Sequence, residues 1–174
     1  MSQTSDLVAA RVRDVPDFPK PGVVFKDIAP LLSDGAAFRS LVEDVARRYA
    51  GQVDVVAGIE ARGFIFGAPV ALALGLGFVP IRKAGKLPGD TIASAYSLEY
   101  GTAEVEVQAD AFAPGARVLL IDDVLATGGT AAAACELIER GGAEVSALEF
   151  VIELGFLDGR DRLADRPVNA ILTV

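Results

Sequence analysis

Asp122 and Asp123 stand side by side, and three residues further on the chain reads Ala126-Thr127-Gly128-Gly129-Thr130. An ionised carboxylate only accepts hydrogen bonds, so an adjacent pair suits the hydroxyls of a sugar or, read otherwise, a hard cation. The run before the pair, Val118-Leu119-Leu120-Ile121, is apolar and continuous, as a buried strand is, and the run after the glycines is an alanine-rich helix. Strand, glycine turn and helix N-terminus together make an anion site, because the first helical N–H groups lack partners and the helix dipole favours negative charge there. Gly128 and Gly129 permit positive φ and a close backbone approach, while the Thr127 and Thr130 hydroxyls can donate to an oxyanion or cap the helix. An ordinary strand-to-helix turn needs neither two acids at the strand's carboxyl end nor hydroxyls on both sides of the glycines. The combination fits a sugar phosphate bound at the carboxyl edge of an α/β sheet. No Lys-Ser/Thr pair follows the turn, which disfavours a nucleoside triphosphatase, and Gly75 and Gly77 precede a strand instead of following one.

Other groups extend this chemistry. Arg62 lies in Glu60-Ala61-Arg62-Gly63, directly after the apolar run Val53 to Ile59, where it either pairs with Glu60 across the turn or meets a phosphate. Lys83 and Lys86 flank flexible glycine positions, and Glu99 with Tyr100 falls near the tip of a following hairpin. There is no histidine, so Ser-His-Asp and Cys-His catalysis are excluded, as is an ordinary zinc site. Carboxylates, lysines and tyrosines remain for proton transfer, with any metal a hard, oxygen-bound ion carried in on phosphates. The net charge of −8 disfavours a nucleic-acid surface. An anionic ligand is still admissible, since salt screens beyond about 8 Å and the local groups decide. The lone Cys135, in an alanine-rich helical run, reads as a small buried hydrophobe with no disulfide.

The elements that must position these residues follow from the pattern. The 174-residue length suits one domain, 1–174, with a sizeable core. Apolar runs are too short and glycine-broken to span a bilayer, and the N-terminus lacks the basic-then-apolar order of a signal peptide, so a cytoplasmic location without membrane contact is expected. A short amphipathic helix is expected from Ser5 to Arg13. Pro16, Pro19 and Pro21 then hold an extended arm that packs through Phe18, Val24, Phe25 and Ile28. A helix capped at Ser33 or Asp34 runs to Tyr49 and stops at Gly51. Strands follow at Val53 to Ile59 and Gly77 to Arg82, with a helix starting near Phe64 between them. Residues 83–108 form a lysine-bearing, flexible flap turning at Tyr100-Gly101, with Val105 and Val107 on one face and Glu104 and Glu106 on the other. On its own such a hairpin is a solvated surface element; beside a phosphate site it closes over the ligand. A core strand in GGAEVSALEFVIEL, a charged loop or short helix in LDGRDRLADRP and a closing strand VNAILTV end the chain. The alternation predicts an α/β fold with a mostly parallel central sheet flanked by helices.

VLLIDDVLATGGT resembles the phosphoribosyl-pyrophosphate (PRPP) motif of type I phosphoribosyltransferases. DFPKPGVVFKDIAPLL, AGIEARGFIFGAPVA, IRKAGKLPGDTIASAYSLEYG and VIELGFLDGRDRL extend the resemblance over essentially the whole chain, to the adenine branch of that family. The resemblance implies the type I fold with a β-hairpin flap (83–108) and an N-terminal hood (1–32) that binds the base, which reverses the purely packing role of the proline-rich arm. It implies transfer of the 5-phosphoribosyl group from PRPP to adenine, giving AMP and pyrophosphate, with Mg²⁺ carried by PRPP and no metal ligands in the protein. By that likeness Asp122 and Asp123 hold the ribose hydroxyls and Ala126, Thr127, Gly128, Gly129 and Thr130 wrap the 5′-phosphate. Arg62 contacts pyrophosphate or the base side. Arg82, Lys83 and Lys86 neutralise pyrophosphate, reaching across a homodimer, with Tyr100 beside them. Val24, Phe25, Lys26 and Val124 form the base pocket, and Glu99 is the acid/base. Lys26 stands where arginine is common and Ala61 where serine occurs. Two alternatives are a transferase for another purine and a non-catalytic PRPP-binding regulator. The alanines after the PRPP loop, where a 6-oxopurine pocket uses lysine, and the acidic chain without a DNA-binding extension weigh against them.

Overall fold

The computed structural model describes residues 3–98, 101–163 and 166–174. Its centre is a seven-stranded sheet whose strands are β3 (Val55–Ile59), β4 (Gly77–Lys83), β5 (Thr91–Leu98), β6 (Gly101–Gln108), β7 (Arg117–Leu125), β8 (Glu144–Glu153) and β9 (Val168–Thr173), in the order β5-β6-β4-β3-β7-β8-β9. The five strands from β4 to β9 are parallel, and β6 and β5 add an antiparallel edge. Period-two alternation along β7 explains the two-sided core. Val118 and Leu120 pack on one face with α5 (Gly129–Arg140), while Leu119 and Ile121 pack on the other with α3 (Gly35–Tyr49) and α4 (Arg62–Leu74). Each such side chain, fully buried, contributes about 1.5–3 kcal/mol. The ring of Phe78 fits only because Gly58 and Gly67 lack side chains, since a Cβ on either would lie within 2.8 or 2.7 Å of it. Cys135 is buried and unbonded, its thiol pKa pushed up to about 12 by burial. Asp34 caps α3 through the N–H groups of Ala36 and Ala37, as its sequence position predicts.

Several expectations need correction. The first helix, α1, covers Gln3–Ala9 only, and Arg13–Pro16 instead forms β1, antiparallel to β2 (Val24–Asp27). Proline tolerates a strand end without neighbours, so the arm is a small separate hairpin. Within it Phe18 and Val24 are half exposed, Phe18 setting its ring edge against Phe25, while Ile28 is buried. A short helix, α2 (Ala29–Ser33), starts with Pro30 in its first turn, where a missing N–H costs nothing. The β5–β6 pairing closes at Leu98 opposite Gly101, and the predicted Tyr100-Gly101 turn lies partly outside the described residues. Glu106, expected on a wet face, is buried. It accepts the N–H groups of Lys86 and Leu87 at 2.8 Å each, so the carboxylate organises the connection after β4. The charged segment after β8 takes the short-helix form of its two readings, as 3₁₀ turns at Gly155–Leu157 and Gly159–Leu163. Among the described residues no helix is long and apolar enough to cross a membrane.

Candidate active site

From β3 the chain passes to β4 on one side, and from β7 to β8 on the other, so the strand order reverses between β3 and β7. At such a reversal the loops leaving the two carboxyl ends diverge and open a crevice. A cavity of about 440 Å³ lies here, of a size that encloses a small ligand. Val24, Phe25, Lys26, Arg62, Asp122, Asp123, Val124, Ala126 and Thr130 all line it. A smaller hollow of about 80 Å³, sharing Asp122, Val124, Ala126 and Thr130, is lined further by Thr127, Gly128 and Gly129. Residues from the hairpin, the turn after β3 and the turn after β7 thus meet around two connected hollows.

The smaller hollow is built from backbone. Gly128 is the N-cap of α5 at φ 78°, and no side chain caps the helix. The hydroxyls of Thr127 and Thr130 are therefore not spent on capping. The first internal helical bond in this turn runs from the Ala132 N–H to the Gly128 carbonyl, which leaves the N–H groups of Gly129, Thr130 and Ala131 to a ligand. Glycine is required at 128 for a second reason: a Cβ there would lie 2.3 Å from the carbonyl oxygen of Gly159.

The acids sit within β7 past the end of its pairing with β3. The Asp123 N–H donates to Asp122 Oδ1 at 2.8 Å. Arg62 Nε is 2.9 Å from Asp123 Oδ2, but without the alignment of a hydrogen bond, so that buried oxygen has no hydrogen-bond partner. The Arg62 guanidinium also lies over the Phe25 ring, 5.3 Å from its centroid, and so joins the acids to the hairpin. Burial raises both carboxyl pKa values above the usual range, Asp122 the more, helped by the charge of Asp123, while Arg62 pulls both the other way. Gly63 permits this proximity, because a Cβ there would come within 2.7 Å of the Ile121 carbonyl and 3.0 Å of Asp122 Oδ1.

Arg62 does not pair with Glu60. Glu60 instead accepts Arg82 Nε at 3.0 Å and the Lys83 N–H at 3.2 Å, with Lys86 Nζ at 3.5 Å. These bonds hold the Glu60 pKa down against its desolvation. Arg82, Lys83 and Lys86 do not line the cavity, and the exposed Lys83 side chain makes no ion pair among the described residues. Lys26 reaches the cavity with its charge committed to Asp14, at 2.8 and 2.9 Å. Glu99 and Tyr100 lie outside the described residues. Tyr96, Leu154 and Ile59 were missed by sequence reasoning and line the cavity. Leu154 directly follows the carboxyl end of β8, a position the strand-end rule could have flagged. Nothing in the alternation around Tyr96 says that β5 leans over the crevice. Among the described residues no group of three acidic or cysteine side chains forms a metal cage.

Residues 31–162 match the model of the phosphoribosyl transferase domain family. The chain is 58% identical over 174 residues to an adenine phosphoribosyltransferase of Thermobifida fusca, covering 99% of each, and 64% identical over 160 residues to one of Streptomyces clavuligerus, covering 91% of this chain and 89% of that one. Its fold superposes on the adenine phosphoribosyltransferase of Thermoanaerobacter pseudethanolicus with a TM-score of 0.94 at 46% identity, covering 98% and 99% of the two chains. The Saccharomyces cerevisiae enzyme complexed with an imino-altritol bisphosphate and adenine gives 0.95 at 38% identity, covering 99% and 100%.

Proposed function

The chain belongs to the adenine phosphoribosyltransferase family, and on that premise we propose that it transfers the 5-phosphoribosyl group of PRPP to adenine, releasing AMP and pyrophosphate. The observation that carries this reading is the convergence of a buried acid pair, a backbone anion cradle and an apolar hairpin wall on one crevice. The 5′-phosphate takes the smaller hollow, where the Gly129 to Ala131 N–H groups and the threonine hydroxyls donate to it. Asp122 and Asp123 accept the ribose 2′ and 3′ hydroxyls. Adenine lies against Val24, Phe25 and Val124, with Arg62 between base and pyrophosphate.

The C1–O bond to pyrophosphate breaks as the C1–N9 bond forms, through an oxocarbenium-like state, and adenine gives up its N9 proton. The protein's tasks are alignment and charge placement. The paired acids face the developing positive charge on the ribose ring and hold its hydroxyls. Arg62 and the cations of 82–86 answer the charge on the departing pyrophosphate. The oxygen-only donor set, with Asp123 Oδ2 ion-paired to Arg62 but accepting no hydrogen bond, suits Mg²⁺ arriving on PRPP, and Asp122 and Asp123 would be the carboxylates near it. When bound, that ion neutralises the leaving group. By family likeness the enzyme is a homodimer, in which Arg82, Lys83 and Lys86 reach the partner subunit's crevice. The N-terminal arm 1–32 is the base-side hood, residues 83–108 are the closing flap, and the enzyme works in the cytoplasm in purine salvage.

Incubation with PRPP, Mg²⁺ and adenine, hypoxanthine or guanine in turn tests the reading: AMP should form, with little nucleotide from the 6-oxopurines, and no turnover with any base would end it. Glu99 is assigned the proton transfer at the adenine ring by family likeness. Glu99→Gln should then lower kcat by roughly 10²-fold or more while PRPP affinity by calorimetry holds. An unchanged kcat removes Glu99 from that role.

A further inference from the structure

Resting on the reading of Ala126–Thr130 as the 5′-phosphate cradle, we propose that Arg160, through its ion pair with Glu153, is a positioning residue that fixes that loop. The loop is held from behind by backbone alone. A Cβ on Gly128 would stand 2.3 Å from the Gly159 carbonyl oxygen, and a Cβ on Gly159 would stand 2.1 Å from that of Ala126. Two backbones interlock with no side chain between them, so any shift of Gly159 passes directly to the cradle. The 3₁₀ segment carrying Gly159 is weakly tied by itself, through bonds such as Asp158 N–H to Gly155 at 3.3 Å and Asp161 N–H to Asp158 at 3.1 Å. Leu163 seats its far end in the core, and its charged anchor beside Gly159 is the next residue. Arg160 grips Glu153 with Nε at 2.6 Å and Nη2 at 2.7 Å, and its Nη1 donates to the Val168 carbonyl at 2.7 Å. Such a two-pronged charged contact fixes direction as well as distance. Glu153 is nearly buried and pairs across the sheet with Leu125, the residue from which the cradle departs. Leu125, Ala126, Gly159, Arg160 and Glu153 thus close a circuit that references the phosphate loop to its own strand end.

Arg160 reaches no substrate, so its removal should act on one substrate only. Arg160→Gln should raise KM for PRPP by roughly tenfold, on the scale that sub-ångström misplacement costs. KM for adenine should stay within about twofold, and Arg160→Lys, which keeps the charge and loses the fork, should fall between. Calorimetric PRPP affinity without adenine should drop in step, which decides the point even if the wild type binds PRPP without turning over and the transferase reading fails. Arg48→Gln is the control: Arg48 holds the buried Glu149 at 2.8 Å on β8, opposite Ile121 and with no contact to the 126–130 loop or the 159–163 segment among its bonds, and should lower the melting temperature with PRPP KM unmoved. Unchanged PRPP affinity in Arg160→Gln, or a rise in both KM values together, would overturn the proposal. If Arg160→Gln does not fold, wild-type PRPP affinity in Arg160→Lys overturns it and a loss supports it.

Discussion

Asp122→Asn should yield a protein that melts higher than the wild type at neutral pH and uses PRPP far less well. The side chain is desolvated beside a second carboxylate, and its pKa is raised well above 3.8 by that burial. A carboxyl that binds its proton more tightly in the folded chain than in the unfolded one makes stability fall as pH rises from the unfolded pKa through the folded one. Above both, the whole penalty is in place. Asparagine never ionises and keeps the shape and the acceptor oxygen that meets the Asp123 N–H. The two melting curves should therefore converge near pH 4 and separate above it, each kcal/mol appearing as about 2–4 °C in a chain of this size. The lowered pKa values of Asp27 and Asp34 act in the opposite sense, but they are common to both proteins and cancel in the difference. Activity goes the other way. A hydrogen bond to a charged acceptor is worth about 1.5–3 kcal/mol, so kcat/KM for PRPP should fall by roughly ten- to a hundredfold. The same protonation predicts that wild-type PRPP affinity weakens on acidification before ordinary carboxylates titrate, because a protonated acid donates where the ribose hydroxyl needs an acceptor. Equal melting temperatures at pH 7 would refute the burial argument, and an unchanged kcat/KM the clamp.

That trade of stability for binding also explains which parts of the site were legible in the sequence. The acid pair, the glycine loop and Arg62 are local signals. Each lies in the last residues of a parallel strand or just beyond it, and the carboxyl end of such a strand is where an α/β sheet binds, so residue type and position together announce the function. The main-sheet strands and α3 were legible for a similar reason, as apolar periodicity and an Asp34 cap are encoded within one segment. What escaped depends on partners far away in the chain. Glu106 alternates with valines as a wet residue does, yet it is buried because the backbone N–H groups of Lys86 and Leu87 need an acceptor. Tyr96 reaches the cavity only because β6 docks on β4 and carries β5 with it. Glu60 was one of two partners that position offered Arg62, but Arg82 and Lys86 take its oxygens and leave Arg62 to Asp123 and Phe25. The proline-rich arm is a hairpin because β1 and β2 satisfy one another, which no count of prolines in one strand can say.

Gly128→Ala should be the most damaging single methyl in the protein's functional loop. Two costs add there. At φ 78° an alanine is in the left-handed region, worth roughly 1–2 kcal/mol. The new Cβ would also meet the Gly159 carbonyl oxygen at 2.3 Å and the Arg162 Cβ at 3.3 Å, and the first of these is backbone that no rotamer change can move. Either the cradle or the 159–163 segment must be displaced on the order of an ångström, and a misplacement of that size costs about 10²-fold in rate. We expect kcat/KM for PRPP to fall by at least that factor, with adenine affinity little changed. Gly142→Ala separates the two costs. Gly142 has φ 82° but nothing within 4 Å of its would-be Cβ, so the variant carries the conformational strain without the collision. It should lose about the same 1–2 kcal/mol of stability to its backbone and keep its PRPP kinetics. If the two variants lose PRPP turnover equally, the loss is general destabilisation. If only Gly128→Ala loses it, the phosphate is bound by a loop whose position is set by the van der Waals contact of two backbones.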